Sequence, residues 1–219
     1  MPRKQAEQAD KAEVFLNCPF DGAYEPISRA IIFVVMALGY KLRSAREVEN
    51  SAQSRLAKIN SIIRQCHFGI HDISRAGADP ASGLARFNMP LELGLFLGAR
   101  EFGSGRQKEK VALVLDSEPY RYQKFISDLA GSDIQAHGDS PERAIKAVRN
   151  WLATNGGRTP IGGEALCDRY QIFHKIDLPL TQKHLSLVDE DMTFTDYVLI
   201  VRDWLEAFEP TEQDGPSAT

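Results

Sequence analysis

Short apolar runs and helical-period stripes alternate along most of this 219-residue chain. After a polar leader, Val14-Phe15-Leu16-Asn17-Cys18 is an apolar run halted by Pro19, the pattern of a buried strand. Ile27, Ala30, Ile31, Val34, Val35 and Leu38 then recur at helical spacing, and Gly39 ends the helix. Ile32 and Phe33 make the opposite side apolar too, so this helix is expected to be covered on both faces. Tyr40–Arg43 reads as a short second strand. Ser51 or Ser54 can cap the next helix, whose stripe is Leu56, Ile59, Ile62, Ile63 and Cys66.

Phe68–Ile73 is strand-like and carries Asp72 at its end; a long loop leads to a third helix from about Asn88 to Arg100. Val111–Leu115 is the clearest strand, closed by Asp116. The pattern predicts a helix over Tyr120–Leu129, a short strand over Asp133–Ala136, and a helix opened by Ser140-Pro141-Glu142 that runs to about Trp151. Five alternations of strand and helix predict an α/β fold, a flavodoxin-like or Rossmann-like three-layer parallel sheet of about five strands.

The expected organisation is a disordered leader over residues 1–13, the sheet domain over 14–153 and a Gly-rich linker over 154–163. A C-terminal helical extension over 164–208 and a disordered tail over 209–219 complete it. The extension reads as two or three helices with breaks near Pro179 and Asp189–Asp191. It is too small for a core of its own. It therefore docks either on the sheet domain or on a second copy, which would make the chain a homo-oligomer through these helices.

Composition narrows the partners. A net charge of −4 supplies no basic field to gather nucleic acid. The densest basic stretch, Gly105–Lys110, reads as a solvated turn before a strand. The longest apolar run, Ala30–Leu38, has nine residues and is too short to span a bilayer, so no membrane partner is expected. Three cysteines without a CxxC pair, and no signal-peptide h-region, suit a reducing cytoplasm.

In open parallel sheets ligands bind beyond the carboxyl ends of the strands. Three segments belong on that edge: Asn17–Tyr24, Asp72–Arg75 and Arg86–Gly94. Glu92 is the only charge between Met89 and Ala99, in a helix apolar all around, and it falls near the helix start, where free N–H groups favour a carboxylate. Such a residue is either a functional acid or an ordinary acidic residue of a first turn. Asp72 either holds sugar hydroxyls or caps the following turn with Ser74. Asn17 either meets substrate or ties adjacent loops together.

Metal chemistry finds no ligand set. His67 and His71 would share a strand face about 13 Å apart, too far for one ion. Gly103-Ser104-Gly105 lacks the third glycine of a dinucleotide fingerprint. His137, His174 and His184 read as surface or packing residues.

Val14–Phe20, with its apolar strand followed by a small residue, Pro19 and Phe20, resembles the first strand and loop of the nucleoside 2-deoxyribosyltransferases. The strand ending in Asp72, a loop, then Glu92-Leu93-Gly94 with Gly98-Ala99 behind is similar to that family's Asp-loop-Gly-Thr-x-x-Glu-x-Gly pattern. The related TIR domains, many of which cleave NAD, also carry a glutamate in the helix after the third strand. Asn88-Met89 stands where the family has Gly-Thr, and the loop after Asp72 is long and basic.

The resemblance implies cleavage or transfer at the N-glycosidic bond of a nucleoside, nucleotide or NAD, with Glu92 as nucleophile or stabilising carboxylate. NAD would then be a substrate; no cofactor and no metal is implied. Asp72 would orient sugar hydroxyls beside Ser74. Asn17, Pro19, Phe20, Asp21 and Asn88 would line the pocket, with Phe20 as a stacking face for the base. Arg75 or Arg86 would meet a phosphate. The alternative is a non-enzymatic nucleotide-sensing or protein-interaction module on the same fold.

Overall fold

The computed structural model describes residues 12–47, 52–78, 83–157 and 161–208. The leader as far as residue 11, the tail over 209–219, the candidate cap Ser51 and part of the expected linker lie outside them. Five strands form one sheet: β1 (Glu13–Asn17), β2 (Lys41–Arg43), β3 (Phe68–Asp72), β4 (Val111–Asp116) and β5 (Gln135–Ala136), in the order β2-β1-β3-β4-β5. Every pairing is parallel, with Leu16 opposite Ile70 and Ile70 opposite Leu113. That order is the flavodoxin-like one.

The helices between the strands are α1 (Glu25–Ala37), α2 (Arg55–Gln65), α3 (Asn88–Phe102) and α4 (Pro141–Asn155). Side-chain alternation divides the core. Val14, Leu16, Phe68, Ile70, Leu113 and Leu115 pack on one face with α1 and α4. On the other face, Phe15 meets Ile59, Ile62 and Ile63 of α2 and Phe96 of α3, while Val114 packs with Met89 and Leu93. Ser54 caps α2 by accepting from the Ala57 N–H, and Ser140 caps α4 by accepting from Arg143.

The extension explains the doubly apolar first helix. It comprises α5 (Gly163–Ile172), a π-helical turn (Phe173–Asp177), α6 (Leu178–Leu185) and α7 (Phe194–Phe208). Fully buried Phe33 lies 5.4 Å, centroid to centroid, from both Tyr170 and Phe173, and 5.7 Å from Trp204. The extension is thus a further layer on the outer side of α1. Among the described residues no helix is long and apolar enough to cross a membrane.

Four local expectations are corrected or refined. Tyr120–Leu129 is not one helix but two 3-10 turns, Arg121–Lys124 and Ser127–Leu129. Tyr120 takes a left-handed conformation, φ 60°, and Ser127-Asp128 bring side chains that compete for backbone hydrogen bonds. Pro179 does not break the extension. A proline ring strikes the carbonyl four residues back, here that of Lys175, and the widened π turn contains that carbonyl. The break falls only after Ser186, at φ 52°.

The basic stretch before β4 is the expected turn, Gly105–Glu109 with no buried residue, but two of its cations also clasp α2. Buried Lys110 donates through Nζ to the Ile63 and Cys66 carbonyls, and Arg106 donates to the Gln65 carbonyl, so both cations cap the end of α2. The linker also starts later than expected. Helix α4 runs to Asn155, and Gly156 follows because any Cβ there would lie 1.8 Å from the Tyr40 hydroxyl.

Candidate functional site

With this strand order, the connection from β1 runs to one side of it and that to β3 to the other, so the switch point lies between β1 and β3. The strand ends there bring Asn17 and Asp72 together, and the first turns of α2 and α3 face them.

Asn17, 1% exposed, donates through Nδ2 to the Met89 carbonyl at 2.9 Å and lies 3.1 Å from His71 Nδ1. It ties the end of β1 to the start of α3, the second of its two expected roles. Burial pushes the His71 imidazolium down to about 3, so this ring is neutral and structural. Among the described residues no group of three metal-ligating side chains exists.

Asp72 is fully buried with both oxygens engaged. Oδ1 accepts from the Ser74 N–H at 2.8 Å, and Oδ2 accepts from the Tyr24 hydroxyl at 2.7 Å. His137 Nε2 lies 3.0 Å from the same Oδ2. The Asp139 N–H donates to His137 Nδ1, so the proton of this ring sits on Nε2. Burial, reinforced by the Asp72 charge, keeps the Tyr24 hydroxyl protonated and therefore a donor. The geometry is that of the turn cap, and Ser74 takes part through its backbone while its buried Oγ has no partner. His137, expected to be a surface or packing residue, belongs to this cluster.

Asp21 accepts from the Tyr24 N–H and pairs with Arg86 at 3.3 Å and Arg75 at 4.0 Å. Arg75 also reaches Asp139 at 3.7 Å. Both arginines expected to meet a phosphate are thus turned toward carboxylates. Pro19 is buried, and Asn88 is exposed at the start of α3. Phe20 is 44% exposed, an available ring at this rim.

Glu92 is 4% exposed. Its position needs one correction: α3 begins at Asn88, so Glu92 lies a full turn in, beyond the free N–H groups of the helix start. Its counter-charge comes from Arg55, the first residue of α2, with Nη2 at 3.7 Å from Oε1. Burial raises the Glu92 carboxyl above the ordinary carboxylate value, and Arg55 opposes the shift without cancelling it. The Arg55 guanidinium lies 5.3 Å from the Phe20 ring centroid, and that of Arg46, just after β2, lies 5.2 Å from the same centroid. Nearby Cys18 is no nucleophile: burial pushes its thiol up to about 12.

Sequence reasoning placed Tyr24 on this edge without a role, and it missed His137, Arg46 and Arg55. A signal existed for two of them. His137 follows β5 and Arg55 opens a helix, and in a parallel sheet both positions belong to the edge that carries Asn17 and Asp72.

A separate apolar cavity of about 280 Å³ lies on a different side of α3, between Pro90, Leu93 and Leu97 and the loop residues Phe125, Ile126 and Leu129. Glu92 does not line it. Comparison with protein-family models, with curated proteins and with solved structures finds no match.

Proposed function

We propose that the protein cleaves, or transfers at, the N-glycosidic bond of a nucleoside, nucleotide or NAD, with Glu92 as the carboxylate that meets the anomeric carbon. One observation carries the reading: a nearly buried carboxylate at the switch point of the sheet, whose one ion pair among the described residues is at 3.7 Å to Arg55, an arginine that shares the half-exposed Phe20 ring with Arg46. The resemblance of the segments around Phe20, Asp72 and Glu92 to the deoxyribosyltransferase pattern points the same way.

The chemistry follows from charge. As the bond from the anomeric carbon to the base nitrogen breaks, the electron pair leaves with the base and positive charge develops on the sugar. A carboxylate in a water-poor site stabilises that charge, or captures the carbon as a glycosyl ester that water or an acceptor base then releases. Asp72 acts behind the site, holding the loop that carries Phe20 through Tyr24.

The test is chromatography of free base after incubation with nucleosides, nucleotides and NAD. Wild-type protein releases base, and E92Q is slower by about a hundredfold or more, as expected for loss of an electrostatic catalytic group. Absence of base from every substrate, or equal rates for the two proteins, overturns the assignment. That outcome supports a non-enzymatic interaction module, for which the structure offers Ile172, Ile176 and Leu180, all exposed and four residues apart along the extension.

A further inference from the structure

We infer that Arg46 and Arg55 form an anion site for the phosphoryl group of a nucleotide, so that the site takes phosphorylated ligands in preference to bare nucleosides. The inference rests on the reading of Glu92 above and assigns to other residues the phosphate contact that the sequence suggested for Arg75 or Arg86.

Charge pairing separates these two from the other arginines of the strand-end edge and the helices around it. Arg29 is held by Glu25 and Asp189, Arg43 by Glu13 and Glu47, Arg121 by Asp116, and Arg75 and Arg86 by Asp21. Among the described residues no carboxylate pairs with Arg46; its guanidinium lies over rings, 5.2 Å from the Phe20 centroid and 5.6 Å from that of Phe194. Arg55 pairs only with Glu92 among the described residues, at 3.7 Å. Two guanidinium groups therefore stand at one ring with a single carboxylate between them, in a chain whose net charge is −4.

Such an arrangement costs free energy through like-charge repulsion unless an anion completes it. The two groups are separated by no more than their two ring distances together, which leaves both within reach of one nucleotide's phosphate chain. Guanidinium forks match phosphate oxygens in pairs. Both guanidinium groups lie over the Phe20 ring, which restrains them before the ligand arrives. Phe194 begins α7, so the C-terminal extension contributes a wall to this rim through its contact with Arg46.

The test compares AMP with adenosine, and NAD with nicotinamide riboside, by isothermal titration calorimetry on the full chain. Each phosphorylated member binds wild type about tenfold or more tightly than its partner, the value of one charge-assisted contact. In R46Q R55Q that ratio falls to near unity. In R46K R55K, which keeps both charges but loses the forks, it falls to an intermediate value; melting curves confirm folding of both variants. Equal affinity of wild type for AMP and adenosine overturns the anion site, as does a ratio that survives in R46Q R55Q.

Base release separates this inference from the cleavage reading. Protein that prefers AMP yet releases no base keeps the anion site and removes the cleavage assignment. Protein that cleaves nucleosides as efficiently as nucleotides does the reverse.

Discussion

Replacing Tyr24 by Phe removes one hydroxyl from a fully buried cluster without altering the shape of the ring. That hydroxyl donates to Asp72 Oδ2 at 2.7 Å, and neither residue is exposed. Hydrogen bonds to charged groups contribute about 1.5–3 kcal/mol, and the abandoned acceptor keeps His137 Nε2 at 3.0 Å as a second neighbour. The expected cost is therefore in the middle of that range, about 2 kcal/mol. For a chain of this length it corresponds to a fall in Tm of about 4–8 °C.

Urea unfolding of wild type, Y24F, D72N and the double variant measures the pair. The two single costs should not add: once Asp72 has lost its charge, Tyr24→Phe should cost about 1 kcal/mol or less. The same change frees the loop that carries Phe20, so any nucleotide affinity falls with it. A cost below about 0.5 kcal/mol for Y24F, or strict additivity, refutes the claim that Asp72 is a structural anchor of the loop.

Other outcomes follow from the same geometry. Phe33→Ala empties the ring cluster between α1 and the extension and should cost about 4 kcal/mol, read as a fall in the urea midpoint; a cost near zero means the extension does not depend on this contact. Gly156→Ala forces a methyl group against the Tyr40 hydroxyl and should cost about 1–3 kcal/mol in the same assay. E92Q should stabilise the fold more at neutral pH than in acid. Burial raises the Glu92 carboxyl above 4.5 in the folded state, so the native chain holds that proton to higher pH than the unfolded one. Its contribution to stability is accordingly present at low pH and lost as pH rises through the folded value. Thermal melts at about pH 4 and about pH 7 should show the gap between E92Q and wild type widening, and a constant gap would contradict the sign. Finally, Cys18, Cys66 and Cys167 are buried, with the first two thiols pushed up to about 12, so a disulfide reagent at mild alkaline pH should titrate them only after unfolding.

Much of the fold was legible because periodicity reports burial directly. Val14–Cys18, Phe68–Ile73 and Val111–Leu115 are apolar on both faces, as strands covered by helices must be. The second apolar side of α1 announced a further layer, and Phe33 now shows what covers it. The turn-rich stretch after β4 was misread because apolar residues at helical spacing also arise where a loop coils over a cavity, as Phe125, Ile126 and Leu129 do. Glu92 stood out as a lone charge in an apolar helix, a signal that survives without coordinates. The anchoring of Asp72 did not, because Tyr24 lies 48 residues away in sequence and only the closed sheet brings the two together. Nor could spacing reveal that Arg75 and Arg86 turn toward Asp21 while Arg46 turns toward Phe20.

The most direct measurement is a crystal structure of E92Q soaked with an intact nucleotide. The account predicts the anomeric carbon within about 3.5 Å of the substituted side chain at position 92, the separation of a near-attack geometry, with the phosphate between Arg46 and Arg55. A nucleotide seated instead in the apolar cavity between Leu93 and Phe125, or a site at position 92 that stays closed at saturating ligand, contradicts it.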